Sequence, residues 1–282
     1  MVKVISGFHI SIQDLGRIGY RNIGVPNSGA MDLYSAQLAN HLLNNHENDA
    51  VLEITLGACK LQFEYDCTVC ITGADFSIKI DNEPIALNTI IQLKKGAILS
   101  FGKRVYGVRT YLAIKKGFQT DSVLGSRSMY QGITQDGLIK KGTSLPITPN
   151  QKILPQSFAS VKINHAHFSS ELIECYKGPE FDLLSEVQKK QVFNIPFTIS
   201  ADNSRMGYKL EEPVKNSLPS MLSSAVLSGT VQLTPSGKLI VLMKDAPATG
   251  GYPRVLQLTD KAINQLAQKT TGDQIRFATV LY

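Results

Sequence analysis

The chain has 282 residues, of which 43% are hydrophobic and 18% charged, with a formal net charge of +6 at pH 7. This composition is typical of a globular protein and excludes an intrinsically disordered chain. Its lysines and arginines are scattered, without a basic block interleaved with aromatic residues, so we predict no nucleic-acid partner. No apolar run approaches the ~18 residues of a membrane span, and the first residues lack a signal-type apolar core. We therefore predict no membrane partner and a cytoplasmic location.

Most of the chain alternates short apolar runs with turn residues, a pattern typical of β-strands. Strands are predicted in the segments CKLQFEY, FSIKI, TIIQL, AILSF and RTYLAI. One clear helix is predicted between Met31 and Asn44, where apolar residues recur with a period near 3.6 residues. Two further helices are predicted over residues 180–194 and 260–270.

A stretch rich in proline and polar residues, at 146–160, predicts a linker between two domains. The domains then occupy residues 1–145 and 161–282. We expect a mainly β protein in which each domain is a barrel or sandwich carrying a few helices.

Residues 11–32 place several charged side chains among glycines. Ser28 or Asp32 can cap the helix that follows, which for Asp32 explains its position without a ligand. Capping does not explain Asp14, Arg17 and Arg21. A glycine-rich entry into a helix also favours anions. The segment is therefore compatible with a bound carboxylate or phosphate, and both interpretations stay open.

Two arginines further along the chain are candidates for ligand binding. Arg127 lies between Ser126 and Ser128 and could bind a carboxylate with two hydrogen bonds, although a solvated arginine in a turn is the alternative. Arg109 lies in a strand that is otherwise apolar. Since a buried arginine needs a partner, either the protein or a ligand must supply one.

Asp245 ends the apolar run LIVLM and precedes a loop with two adjacent glycines. A carboxylate at a strand end can act as a general base or accept an amide N–H. A turn-forming aspartate is the alternative interpretation.

Neither the cysteines nor the histidines predict a metal site. Cys67 and Cys70 form a C-x-x-C pair in a strand, where residues three apart point to opposite faces, so we predict ordinary core cysteines. His165 and His167 would lie on one face of a strand, but no third ligand is in view. We favour a polar pair beside the linker.

Several motifs occur together and in a specific order. They include ISIQDLGRIGYRNIGVPNSGAMD, LEITLGACKLQF, VLGSRSMY, SRMGYKL and TGGYPRV. With these motifs the chain resembles the C subunit of bacterial 5-oxoprolinase, nearly from end to end. The same family includes the antagonist of a sporulation-kinase inhibitor and one half of the carboxyltransferase domain of urea amidolyase. The resemblance implies two cyclophilin-like β-barrel domains with a few helices.

The resemblance also implies an activity and partners. The chain would act with subunits A and B in the ATP-dependent opening of 5-oxoproline to glutamate, with ATP phosphorylating the amide oxygen. This chain would carry no biotin of its own. The alternatives are a regulatory protein that binds a kinase inhibitor, and a carboxyltransferase half that acts on urea or a related amide with a biotin carrier supplied in trans.

The positions that match the family's motifs are the candidate site residues. We predict catalytic roles for Asp14, Asp245 and Arg127. We predict substrate-binding roles for Gln13, Arg17, Gly29, Asp32, Arg109, Ser126, Thr249, Gly250, Gly251 and Tyr252. Arg127 or Arg109 would bind a substrate carboxylate, and Asp14 or Asp245 would accept an amide N–H. Met129 departs from the threonine that is common in the family after S-R-S.

Overall fold

A computed structural model of the chain describes residues 1–149, 161–219 and 221–280. The chain divides into two compact units. The first comprises Met1–Arg17 and Ser28–Phe168, and the second comprises Ile18–Asn27 and Ser169–Tyr282. Of the predicted linker at 146–160, residues 150–160 lie outside the described residues, so the linker stays a prediction.

Two sheets form the first unit. Its strands lie at Val2–Ser6 (β1), Ile10–Gln13 (β2), Val51–Thr55 (β3), Lys60–Phe63 (β4), Cys67–Asp75 (β5), Lys79–Ile80 (β6), Glu83–Pro84 (β7), Ile90–Leu93 (β8), Ile98–Ser100 (β9), Tyr106–Ile114 (β10) and Ser144–Leu145 (β11). One sheet has the order β11-β1-β4-β9-β6-β7, and the other has the order β2-β3-β10-β5-β8. Helix α1 spans Leu33–Leu42, and the short helix α2 spans Ala166–Ser169.

Strand β10 is buried on both faces. Leu112 and Ile114 contribute to the main core of the first unit, between the sheets, while Tyr111 and Ala113 contribute to a second apolar cluster against α1. Successive side chains of a strand point to opposite faces, so a strand covered on both sides must be apolar almost throughout. This requirement accounts for the sequence of β10.

A closed barrel forms most of the second unit. Its strands lie at Leu172–Lys177 (β12), Phe197–Asn203 (β13), Gly207–Leu210 (β14), Ser224–Ala225 (β15), Thr230–Leu233 (β16), Leu239–Leu242 (β17), Thr249–Gly250 (β18), Arg254–Leu258 (β19) and Gln274–Thr279 (β20). The barrel closes in the order β12-β19-β16-β17-β14-β13-β20, and β15 pairs with β18 in a separate ribbon. Helices α3 and α4 span Glu186–Asn194 and Asp260–Leu266.

Alternation along three neighbouring strands separates the barrel's interior from its outer face. Tyr208, Val231 and Val241 are fully buried and pair across β14, β17 and β16. The next residues in register, Lys209 and Gln232, both pair with Ile240 and therefore point outward.

The predicted fold class, mainly β with a few helices, is confirmed, and each of the five quoted segments contains a strand or lies within one. The helices predicted at Met31–Asn44 and at 260–270 contain α1 and α4. The single helix predicted over 180–194 is wrong in part. A 3-10 turn at Phe181–Leu183 precedes α3, because Ser185 caps α3 and interrupts the helix. No helix among the described residues is long and apolar enough to cross a membrane.

The prediction that His165 and His167 share one face of a strand is wrong. Helix α2 includes His167, and the backbone N–H groups of His167 and Phe168 donate to carbonyls three residues earlier. His165 is exposed, whereas His167 is buried. The turn hydrogen bonds and the burial of the His167 ring decide this conformation. The local sequence pattern reveals neither of them.

The prediction of core cysteines is confirmed. Cys67 and Cys70 belong to the apolar clusters on opposite sides of β5, and all four cysteines are free and buried. Burial raises the pKa of each thiol to about 12.

We expect the folded chain to resist thiol reagents. With a pKa of about 12, the thiols of Cys59, Cys67, Cys70 and Cys175 are protonated at pH 8, and the thiolate is the reactive form. Ellman's reagent should label none of the four within minutes in buffer and all four in denaturant. Rapid labelling of Cys67 or Cys70 in the folded chain would contradict the structural assignment of this pair.

Candidate functional site

The carboxylate of Asp14 is the centre of a buried hydrogen-bond cluster in the first unit. Its Oδ1 accepts from the backbone N of Gly16 at 2.8 Å, from Ser126 Oγ at 2.7 Å and from Ser128 Oγ at 2.5 Å. Its Oδ2 accepts from the backbone N of Arg127 at 2.6 Å. Asp14 therefore fixes the backbone of the S-R-S segment, and its oxygens already accept from protein donors.

Two other predicted substrate-binding residues also contact this segment. Arg17 is fully buried, and it donates to Val123 O at 3.0 Å and to Ser128 O at 2.6 Å. The buried amide of Gln13 donates to Met129 O at 3.4 Å. Both side chains support the loop from inside the protein, and contact with a substrate stays a prediction for them.

Gly29 allows a close approach of two backbone segments. Its φ is +91°, and a Cβ at this position would lie 3.0 Å from the carbonyl carbon and oxygen of Leu15. Next to it, the N–H of Ala30 donates to Asp14 O at 3.0 Å. A side chain at position 29 would therefore push the loop away from Asp14.

Arg127 lines a cavity of about 310 Å³ in the first unit. Within the described parts of the chain, its guanidinium has no hydrogen-bond or ion-pair partner. The backbone of Arg127 is held by Asp14, while Met129 and Leu138 supply apolar lining and Asp136 supplies an acidic group. A half-buried guanidinium in such a cavity can bind a carboxylate.

Arg109 and Asp32 lie at two ends of a buried polar network in the first unit. Arg109 Nε is 3.9 Å from Glu53 Oε1, and the hydroxyl of Tyr111 donates to Glu53 Oε2 at 2.8 Å. The same hydroxyl accepts from the N–H of Asp32 at 2.7 Å. Nε2 of His167 lies 2.9 Å from Asp32 Oδ2. Burial, followed by the charges of Glu53 and Asp32, raises the pKa of Tyr111 well above its ordinary value.

Asp32 also caps α1, because Ser35 N donates to Asp32 Oδ1 at 3.1 Å, so the capping interpretation is confirmed. The sequence reasoning missed Glu53, Tyr111 and His167 as members of the network. Glu53 could have been found by the argument applied to Arg109, since both are charged residues in apolar strands.

In the second unit, a groove of about 730 Å³ lies on the outer face of the barrel. Tyr252 is the predicted site residue that lines it, beside Met206, and these side chains are 39% and 51% exposed. Lys209 and Lys238 supply positive charge to the same groove. The remaining lining residues are Asp202, Ser204, Gly207, Gln232, Thr234, Pro235, Ser236, Ile240, Leu242 and Pro247.

The lysines of this groove are paired with carboxylates near its surface. Lys209 Nζ is 3.1 Å from Asp202 Oδ2, and Lys238 Nζ is 3.5 Å from Glu211 Oε2. An exposed ion pair contributes little to stability. The ammonium of Lys209 can therefore turn toward a ligand at small cost, whereas that of Lys238 also donates to the backbone carbonyl of Glu211 and would give up this bond.

Asp245 forms a two-point ion pair with Arg205. Arg205 Nε is 2.8 Å from Asp245 Oδ2, and Nη2 is 3.2 Å from Oδ1. The backbone N of Asp245 also donates to Arg205 O at 2.8 Å. This pair anchors the end of the loop that continues to Tyr252, and neither member lines the groove.

A second arginine holds the same loop further along. Arg21, which the structure groups with the second unit, donates to Pro247 O at 3.0 Å and Ala248 O at 3.3 Å, and it also donates to Val226 O. Of the predicted residues in this loop, Thr249, Gly251 and Tyr252 are exposed. In this structure Arg21 contacts backbone carbonyls of the loop, and no ligand is needed to explain its position.

No group of three or more His, Cys, Asp or Glu residues that could hold a metal ion occurs in residues 1–149, 161–219 and 221–280.

We expect Asp14→Ala to lower the free energy of unfolding by about 3 kcal/mol, because it leaves buried hydroxyl and N–H donors without an acceptor. Urea unfolding measures this change. Asp121→Ala, at an exposed position, is the control and should change stability by less than about 0.5 kcal/mol. Equal stabilities of the two variants would contradict the central role of Asp14.

Comparison with known proteins identifies relatives along almost the entire chain. The family model described as "Carboxyltransferase domain, subdomain A and B" matches residues 23–279. The chain is 31% identical to the C subunit of 5-oxoprolinase from Escherichia coli (strain K12), covering 98% of this chain and 90% of that protein. It is 32% identical to the same subunit from Haemophilus influenzae, covering 96% of this chain and 88% of that protein.

Among solved structures, the crystal structure of the K. lactis urea amidolyase is similar to this chain, with a TM-score of 0.86 and 27% identity. The match covers 99% of this chain but only 19% of that much longer protein. The fold, the range matched by the family model and the nearly full-length relatives all indicate the same family. The chain therefore belongs to the family of carboxyltransferase domains with subdomains A and B.

Proposed function

We propose that the chain is a subunit of an ATP-dependent 5-oxoprolinase, which opens 5-oxoproline to glutamate together with subunits A and B. The relatives from Escherichia coli and Haemophilus influenzae support this proposal, since their names specify a 5-oxoprolinase subunit. The match covers 90% and 88% of these two relatives, which favours a role common to them and to this chain.

The groove on the barrel of the second unit is the observation that carries the proposal. It combines an apolar wall, formed by Met206 and Tyr252, with the positive charge of Lys209 and Lys238. 5-Oxoproline is a flat five-membered ring that bears a carboxylate. The ring suits the apolar wall and the carboxylate suits the lysines.

In the proposed reaction ATP is a co-substrate of the complex and phosphorylates the amide oxygen, because an unactivated lactam is a poor electrophile. The protein's part is to orient the ring and to stabilise charge that develops on this oxygen. The ion pair of Asp245 with Arg205 supports this part indirectly, because it anchors the loop that leads to Tyr252.

A carboxyltransferase half that acts on urea or a related amide is the second candidate. The similarity to the K. lactis urea amidolyase favours it. It would need a biotin carrier from another chain, because Met243 and Lys244 are followed here by Asp245 rather than by the methionine of an A-M-K-M biotinylation motif. The cytoplasmic location stays a prediction under both candidates.

We expect ATP-dependent glutamate release from 5-oxoproline by this chain assembled with subunits A and B, and none when this chain is omitted.

In that assay the double variant Lys209→Ala, Lys238→Ala should raise the KM for 5-oxoproline about tenfold or more, since it removes charged hydrogen bonds to the carboxylate. Arg276→Ala, at an exposed position of the second unit, is the control.

Arg127→Ala tests the competing proposal that the carboxylate binds in the cavity of the first unit. A large rise in KM for this variant, with none for the lysine variant, would move the substrate to that cavity.

No turnover by a folded, assembled complex would contradict the 5-oxoprolinase proposal. The second candidate would then be tested with urea and a biotin carrier, and the regulatory alternative by binding of a kinase-inhibitor partner.

A further inference from the structure

Gln232 is a buried polar residue in the wall of the second unit's groove. It lies on β16, on the outer face of the barrel, and it is only 5% exposed. It is not among the site residues predicted from the sequence.

The orientation of the Gln232 amide follows from its neighbour. Nε2 donates to the backbone carbonyl of Tyr252 at 3.3 Å. A carbonyl oxygen can only accept, so the nitrogen must face Tyr252 and the oxygen must face away. Among the described residues, no donor to Gln232 Oε1 is present.

Gly250 leaves room for the amide in this position. A Cβ at residue 250 would lie 2.5 Å from Gln232 Nε2, closer than any side chain could approach. With a side chain at position 250, the amide of Gln232, which is the far end of a flexible side chain, would have to shift. Gly250 therefore has a structural role that does not require contact with a ligand.

We infer that Gln232 Oε1 accepts the N–H of the amide substrate. Gln232 Oε1 has no protein donor among the described residues and is not itself fully buried, so a ligand in the groove that supplies an N–H can bond to it in place of water. The inference deepens the proposed function and rests on it for the site. It assigns to Gln232 the role that the sequence suggested for Asp14 or Asp245, whose oxygens already accept from protein donors.

The ligand class is therefore a small planar amide with a free N–H, together with a negative charge. The exposed faces of Met206 and Tyr252 can contact its ring, and Lys209 and Lys238 its carboxylate. A lactone of the same shape supplies an acceptor where the amide has its donor. Its ring oxygen would face Gln232 Oε1 without a proton between them, so the groove should discriminate against it.

The test compares two isosteric ligands, 5-oxoproline and 5-oxotetrahydrofuran-2-carboxylate, in which a ring oxygen replaces the N–H. Calorimetric titration of the assembled complex without ATP measures both affinities in the absence of turnover. We expect the unmodified complex to prefer the lactam by about 10- to 100-fold. Gln232→Leu should weaken lactam binding and reduce this preference to less than about threefold. Gln274→Leu, at an exposed position of β20, should leave the preference unchanged.

Gly250→Ala provides a second variant, since it displaces the amide without removing it, and it should also reduce the preference. An undiminished preference in a folded Gln232→Leu complex, or no preference in the unmodified complex, would overturn the inference. Binding that discriminates between the ligands, combined with no glutamate release when ATP is added, would contradict the proposed 5-oxoprolinase function but uphold the role of Gln232.

Discussion

The alternation of side chains along β-strands is the constraint on which both units depend. In the first unit it lets β10 bury Leu112 and Ile114 on one face and Tyr111 on the other. In the second unit it places Tyr208 inside the barrel and Lys209, the next residue, in the groove. The same strands thus form the core and the wall of the candidate site, so the position of the site follows from the register of the barrel.

Charged groups buried within the units are matched by specific partners. Asp14 accepts four hydrogen bonds, and Arg17 donates to two backbone carbonyls. Desolvation of a charge costs several kcal/mol unless such bonds replace the lost water. Removal of one partner of a buried pair destabilises the fold by roughly 3–5 kcal/mol. Many charges in the N-terminal motif therefore position loops, whereas Lys209 in the groove, paired with a carboxylate at the surface, stays available to a ligand.

The two proposed functions share one chemical requirement. A lactam and urea both present a planar amide with an N–H, and both reactions need that amide to be oriented. A glutamine acceptor in the groove serves either substrate, so Gln232 does not by itself distinguish them. The difference lies in the partners, which are subunits A and B in one case and a biotin carrier in the other.

Local patterns in the sequence determined the mainly β fold, helix α1 with its cap Asp32, the core role of the cysteines and the motifs of the family. These features depend on neighbouring residues or on strand periodicity, both of which can be read along the chain. Only the tertiary structure decided that Asp14 holds a loop 112 residues away and that His167 contacts Asp32, 135 residues away. It also decided that Oε1 of Gln232 faces away from Tyr252. Such contacts depend on strand register and loop closure, which no local pattern encodes.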